Sequence, residues 1–183
     1  MKKMVYNIRA SGEKWLTIGK STQKWSENPT LDPKIRKKGE TFMFAGEYYH
    51  AKDSKNRVFI PAKFREALGE TFVIAKDIRR KCLKVCSLAD WEAYVAPIKE
   101  KGKTSVADLM RFFHSSMAEV TPDAQGRVVL PQELVNHSEI VRNLVVVGCG
   151  EYGEIWSEDN YAAIKAENTP ENMFELLKEL GFV

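Results

Sequence analysis

A chain of 183 residues with 44% hydrophobic and 29% charged content can bury a core and keep a solvated surface, which excludes a fibrous protein or one disordered throughout. No run of roughly 18 apolar residues occurs, and the first residues lack the apolar centre of a signal peptide, so neither a membrane helix nor a secreted product is expected. The formal charge of +3 is uneven: residues 1–42 hold ten Lys and Arg against four Asp and Glu (+6), leaving 18 against 21 (−3) for 43–183, so any attraction of the folded part for nucleic acid must be local.

Residues 1–42 are polar and basic, with scattered Trp15 and Trp25 and a Lys34-Ile-Arg-Lys-Lys38 cluster, and no stable independent fold is expected of them. A first unit spans 43–94. In it Asp53-Ser-Lys-Asn-Arg57 reads as a type I turn closed by a left-handed residue: Asp53 caps the turn, Asn56 takes the positive φ, and Arg57 opens a branched apolar strand. Pro61 and Gly69 bracket a short helix with Phe64 and Leu68 on one face. Strands follow at 71–75 and before Ser87, which caps the next helix. Between them Lys76, Arg79, Arg80, Lys81 and Lys84 crowd around Asp77, and a solvated loop tip is the expected role for this cluster.

Residues 95–114 read as a helix, a polar break at Lys99-Glu-Lys-Gly-Lys103, and a second helix with Val106, Leu109, Met110 and Phe113 at helical spacing. The second unit, 115–164, repeats the first at an offset of seventy residues: Asp123-Ala-Gln-Gly-Arg127, then Pro131, a strand at 144–147, and Ser157 before a helix. In each copy Asp, a φ-tolerant fourth residue, Arg and Pro recur in order, so both are expected to form hairpins with an arginine at the tip. The last segment, 165–183, holds a helix capped by Thr169, started by Pro170 and stopped by Gly181, with Phe174, Leu177 and Leu180 as an apolar stripe to be packed on its own domain or on a neighbour.

The whole ordered set, Gly46-Glu-Tyr48, the two Asp-x-x-x-Arg motifs, Ile60-Pro-Ala-Lys-Phe-Arg-Glu-Ala-Leu68, Arg111-Phe-Phe113 and Glu154-Ile-Trp-Ser157, resembles the MraZ transcriptional regulators of bacteria, which are related to the AbrB-type swapped-hairpin DNA-binding proteins. The resemblance runs from Met43 to about Leu180. It departs from the family pattern at His114-Ser-Ser-Met117, and Cys86 stands where the second copy has Trp156. It implies a mixed α/β (α+β) fold of two tandem AbrB-like units around a pseudo-twofold axis in one domain. It further implies a sequence-specific DNA-binding regulator, in that family a repressor of the division and cell-wall gene cluster, working in the bacterial cytoplasm at the nucleoid. Ring-shaped homo-oligomers of about eight to twelve subunits are also implied, each ring presenting repeated tips to repeated promoter boxes. Because the family pattern begins at Met43, residues 1–42 are expected to be an over-called start, with a basic DNA-attracting arm as the alternative.

Within that reading Arg57 and Arg127 are the DNA-contacting residues, because a guanidinium can bond two acceptors on guanine or clamp a phosphate. Asp53 and Asp123 orient them, although a simple ion pair across the turn would use the same four residues. Lys55 at the loop apex and Lys52 add phosphate contacts. The window 50–65 carries +4, whereas 120–135 carries −1, so the first copy is expected to supply more phosphate attraction.

No cofactor is implied. Cys82, Cys86 and Cys149 lack paired metal spacing, His50, His114 and His137 lie far apart, and reduced, buried thiols are expected. Gly148-Cys-Gly-Glu-Tyr-Gly153 lies between two strands with no helix start, unlike a phosphate-cradling loop, and an enzyme is not expected. The rival function is a swapped-hairpin, antitoxin-like protein-interaction module. Such antitoxins usually carry one repeat and a disordered tail, and this chain has two repeats and a punctuated terminal helix.

Overall fold

The computed structural model describes residues 43–99 and 104–183 together with three strands of the N-terminal segment, and the chain divides into two units, Met1–Glu40 and Thr41–Val183. In the first unit, β1 (Met4–Ile8), β2 (Lys14–Ile18) and β3 (Ser21–Lys24) form an antiparallel sheet in that order, with Met4 opposite Ile18 and Trp15 opposite Lys24. The Lys34–Lys38 cluster and the polar break at 100–103 lie outside the described residues.

The second unit is built from β4 (Glu47–Ala51), β5 (Arg57–Phe59), α1 (Ala62–Leu68), β6 (Phe72–Lys76), β7 (Cys82–Ser87), α2 (Leu88–Lys99), α3 (Thr104–Ser115), β8 (Met117–Val120), β9 (Arg127–Val129), α4 (Gln132–Ser138), β10 (Asn143–Gly148), β11 (Gly153–Ser157), α5 (Glu158–Glu167) and α6 (Pro170–Glu179). Six strands form one antiparallel sheet in the order β4-β10-β11-β7-β6-β8, and β5 and β9 form a separate two-stranded ribbon. The pairing is swapped between repeats: the opening strand of the first, β4, lies on β10 of the second, and the opening strand of the second, β8, lies on β6 of the first. The inner pair obeys the same twofold, since Leu83 faces Ile155 while Val85 faces Gly153, and each pair maps onto the other at an offset of seventy.

This swap corrects the expectation of a hairpin in each copy. The strands flanking each Asp/Arg turn form no ladder with one another. Asp53 N–H donates to Arg57 O (3.1 Å) and Asp123 N–H to Arg127 O (2.8 Å), after which the two strands diverge to partners in the other repeat.

Both faces of the sheet are covered, which is why its inner strands read as nearly continuous apolar runs. On one face Phe72, Ile74, Leu83, Val85, Leu144, Val146 and Ile155 pack with Val58 and Val128 of the ribbon and with Phe64, Leu68 and Leu134 of α1 and α4. Alternation along β6 sends Val73 and Ala75 to the other face, against Trp91 and Val95 of α2 and Phe113 of α3. There Cys82, Val145 and Trp156 meet Tyr161 and Ile164 of α5. Glu47 on β4 accepts bonds from Tyr161 Oη (2.9 Å) and Lys165 Nζ (2.8 Å), pinning the swapped strand to α5.

The local punctuation acts as its chemistry dictates. Pro61 and Pro131 precede the two short helices, and Gly69 and Glu139 follow them at φ +84° and +56°. Ser87 Oγ accepts from Asp90 N–H (3.2 Å), Ser157 Oγ from Asn160 N–H (3.4 Å) and Thr169 Oγ1 from Asn172 N–H (3.2 Å), each satisfying an otherwise unbonded first-turn amide. Helix α2 runs through residue 95, where the repeat was expected to end.

Trp91, Phe113, Ile155 and Trp156 are buried in the core, whereas Tyr94 and Phe112 are exposed. The stripe of α6 finds no cover among the described residues: Phe174, Leu177 and Leu180 are exposed. No helix among the described residues is long and apolar enough to cross a membrane.

Candidate nucleic-acid interface

The two Asp/Arg turns share three bonds from the carboxylate, and the second adds a fourth. In the first, Asp53 Oδ1 accepts from the amides of Lys55 and Arg57 (both 2.9 Å), while Oδ2 accepts from Arg57 Nε (2.6 Å). In the second, Asp123 Oδ1 accepts from the amides of Gln125 and Arg127 (both 2.9 Å), and Oδ2 from Arg127 Nε (2.9 Å) and Nη2 (2.8 Å). The φ-tolerant residues sit as their chemistry requires, Asn56 at φ 56° and Gly126 at φ 77°. One carboxylate therefore shapes the turn and aims the arginine that follows it.

These bonds hold both carboxyls well below their usual range. Asp53 is lowered to about 2, chiefly by the Arg57 backbone amide and then by its side chain, and Asp123 is lowered to about 2, chiefly by the Arg127 side chain. The four charged side chains are nonetheless open to solvent, 31–38% exposed, so they can engage a ligand without unfolding the turn. Arg57 donates only through Nε to a described residue, which leaves both of its Nη groups for a partner.

The ribbon sets where the arginines stand. Val58 faces Val128 on its inner side, both fully buried, and its outer side carries Arg57 opposite Val129 and Phe59 opposite Arg127. Arg57 and Arg127 are thus diagonal neighbours on one face, roughly 7–8 Å apart at their Cβ atoms by ordinary strand geometry. The turns lie at opposite ends of the ribbon, about 13 Å apart for four residues at about 3.3 Å each. Two bonds brace them across the repeats: Ile60 N–H donates to Gly126 O and Leu130 N–H to Asn56 O, both at 2.9 Å.

Each turn also rests on the helix of the other repeat. Asn56 Nδ2 donates to Gln132 Oε1 of α4 (2.9 Å), and Lys52 Nζ donates to Asn56 Oδ1 (2.8 Å). Lys52 therefore braces the first turn, whereas Lys55 at its apex is exposed with no bond from its ammonium to a described residue. On the other side Arg65 of α1 crosses to the second turn, where a Cβ on Gly126 would stand 2.8 Å from its Cζ. Sequence arithmetic placed Arg65 in the first repeat's basic window; the fold delivers it to the second. Neither Arg65 nor Gln132 was singled out from sequence, because their role depends on contacts between repeats.

The second basic cluster is pinned to α4. Lys76 pairs with Glu133 (3.3 Å), Lys81 with Glu139 (3.5 Å), and His137 Nε2 lies 3.0 Å from Asp77 O and 3.2 Å from Arg80 O. It forms no part of the ribbon face. On β4, His50 meets the Phe59 ring edge-on (5.0 Å between centroids), and burial lowers its pKa.

Cys82 and Cys86 are buried and burial raises both thiols, Cys86 to about 12; Cys149 is exposed, against the expectation that all three would be buried, yet partial burial of its sulfur and the Glu154 carboxylate push its thiol up to about 12 as well. No group of three His, Cys, Asp or Glu among the described residues could hold a metal ion.

The architecture is thus a pseudo-twofold, strand-swapped α+β unit with two Asp-clamped arginines on a solvent-facing ribbon. The family described as "MraZ protein, putative antitoxin-like" matches residues 43–111 and again 113–180, and this chain belongs to it. It is 35% identical over 141 residues to the "Transcriptional regulator MraZ" of Dictyoglomus turgidum, covering 76% of this chain and 94% of that one. It is 37% identical over 142 residues to the protein of the same name from Clostridium acetobutylicum (76% and 99% covered) and 38% identical over 143 residues to that of Carboxydothermus hydrogenoformans (74% and 99%).

Proposed function

We propose that this chain is a sequence-specific DNA-binding transcriptional regulator whose ribbon face, with Arg57 and Arg127 held by Asp53 and Asp123, contacts duplex DNA. The observation that carries this is the pair of matching arginines, one from each repeat, on one exposed face and with donors left over after the Asp clamp. A two-stranded ribbon fits the width of the major groove, where a guanidinium distinguishes guanine by bonding O6 and N7. Lys55 supplies a phosphate contact and Lys52 acts through the shape of the first turn.

The relatives' names support a transcriptional regulator; from the family resemblance we further propose that it acts as a repressor at the promoter of the division and cell-wall genes, in the bacterial cytoplasm at the nucleoid. We assign it no catalytic role. One protomer offers few cations for a specific complex, which buries on the order of 1,000–2,500 Å² of protein. Assembly into a ring meets that need by presenting many ribbons to repeated boxes. A ring needs two different contact surfaces on each protomer. The exposed Leu109 and Phe112 on α3 and the exposed stripe of α6 supply two such surfaces for a second copy of this chain.

The test is binding of the wild type and of Arg57→Ala/Arg127→Ala to the promoter upstream of its own gene and to a scrambled duplex, across a range of salt concentrations. The wild type should prefer the promoter, and the double variant should lose that preference at unchanged oligomer mass. If the wild type shows no preference at any salt, or the variant binds as well, the clamped pairs serve only the turn and the antitoxin-like reading takes over.

A further inference from the structure

We propose that Arg65, on the helix of the first repeat, is the phosphate-binding cation of the second repeat's turn. This rests on the ribbon face being the DNA surface. The sequence gives the two turns unequal charge: Lys52 and Lys55 accompany Arg57, whereas their counterparts beside Arg127 are Pro122 and Gln125. The fold removes part of that inequality. Arg65 Nε donates to Ile60 O (3.1 Å), at the ribbon's end, and this bond directs the guanidinium away from its own repeat. Its Cζ lies 6.0 Å from the centre of the Phe59 ring, and its Cζ, Nε and Nη2 lie 2.8–3.1 Å from where a Cβ on Gly126 would be. Phe59 is the residue directly opposite Arg127, and Gly126 is the one before it. Arg65 therefore stands beside Arg127 on two sides.

Two features mark it as a ligand-binding group. Asp123, the carboxylate of that turn, is occupied by Arg127, and Arg65 forms an ion pair with no described residue. A half-buried guanidinium whose terminal nitrogens have no anionic partner, adjoining a second guanidinium, creates a local positive potential that a phosphate oxygen would satisfy. The absence of a Cβ at Gly126 makes the space for it, and Gly is also what the positive φ there requires. The twofold mate of Arg65 is Val135, which is buried, so the first turn receives no such cation from α4 and has the neutral Gln132 amide instead. The two turns then hold phosphate differently, the first with a mobile lysine head and the second with paired forks.

The experiment measures the salt dependence of promoter binding for full-length wild type, Arg65→Gln, Arg65→Lys and Arg57→Ala/Arg127→Ala. Removing one phosphate contact lowers the slope of log K against log salt by about 0.9 for each protomer engaged with the duplex, so over a fourfold rise in salt Arg65→Gln should lose about 3.5-fold less affinity per engaged protomer than the wild type does. Arg65→Lys should keep the wild-type slope. As a check that does not depend on a variant folding, an arginine-specific dicarbonyl reagent on the wild type, read by mass spectrometry, should modify Arg65 in the free protein and be blocked by promoter DNA. A natively folded Arg65→Gln with the wild-type slope, or Arg65 modified equally with and without DNA, overturns the proposal while the double variant still reports on Arg57 and Arg127. A wild type that binds no DNA overturns both.

Discussion

Substituting Gly126 by Ala tests the seating of one repeat's turn on the other repeat's helix. Gly126 has φ 77°, and an L side chain in the left-handed region costs about 1 kcal/mol or somewhat more. The new methyl would also lie 2.8 Å from Arg65 Cζ. The guanidinium is the far end of a flexible side chain, so it can move, but moving it breaks the 3.1 Å bond from Nε to Ile60 O, at a cost of about 0.5–1.5 kcal/mol. Gly126→Ala should therefore lose about 2 kcal/mol in total. In an Arg65→Ala background only the backbone part remains, about 1 kcal/mol, giving a coupling energy of about 1 kcal/mol between residues 61 positions apart in sequence. Urea unfolding of the four proteins at one fixed concentration measures the cycle, with equal slopes needed for the comparison. A coupling within about 0.3 kcal/mol of zero would refute the contact between Arg65 and the second turn.

Gly148→Ala should be more damaging, because a Cβ there overlaps the Phe44 carbonyl and the Ala45 amide, both backbone; expulsion of buried Phe44 from its contact with Phe64 would cost about 3–5 kcal/mol in the same unfolding assay. The clamps should respond to acid in a set direction. Because folding lowers the pKa of Asp53 and Asp123 from 3.8 to about 2, the stability they contribute is fully present above pH 3.8 and is lost as pH falls through about 2. Arginine Nε–H resonances of Arg57 and Arg127 should hold their folded positions from neutral pH to about 3 and change together as pH falls through about 2, and Asp53→Asn should abolish the change at Arg57 alone. A thiol reagent should label the exposed Cys149 in the native protein, slowly at neutral pH and faster as pH rises because partial burial and the Glu154 carboxylate push its thiol up to about 12, with Cys82 and Cys86 reacting only after denaturation; native labelling of Cys86 would contradict its burial.

Local punctuation was legible in the sequence. Asp followed by Asn or Gly predicts the turns, Pro predicts the starts of α1 and α4, and Ser87, Ser157 and Thr169 predict caps, because each effect acts over three or four residues. Partner choice was not legible. The strands around Asp53 and Asp123 suit a hairpin as well as a swap, and the swap prevails through packing: with β4 on β10 and β8 on β6, Val58 and Val128 meet across the axis and pack on one six-stranded sheet. The destination of Arg65 was hidden for the same reason. The stripe of α6 was correctly placed on one face of a helix, but periodicity reports that a face is apolar and not what covers it.

The swap also determines what a single repeat can do alone. A fragment of residues 43–99 retains one of its ladders, β6 with β7, while β4 and β5 lose β10 and β9 and β7 loses β11. It would expose Val58, Leu83 and Val85, all fully buried in the whole chain, so as a monomer it lacks both the ladder bonds and the apolar burial that a fold requires. Residues 104–183 are in the same position, with β10 and β11 paired and β8 and β9 without partners. Each fragment should thus be unfolded at low concentration and should gain structure only on mixing or on self-pairing, with an unfolding midpoint that rises with concentration as it does for any obligate dimer. Circular dichroism across a dilution series, with mass measured in parallel, follows this directly. A fragment that unfolds cooperatively as a monomer, with a midpoint independent of concentration, would mean that each repeat is a fold in itself and that the swapped pairing is not what holds the arginines in place.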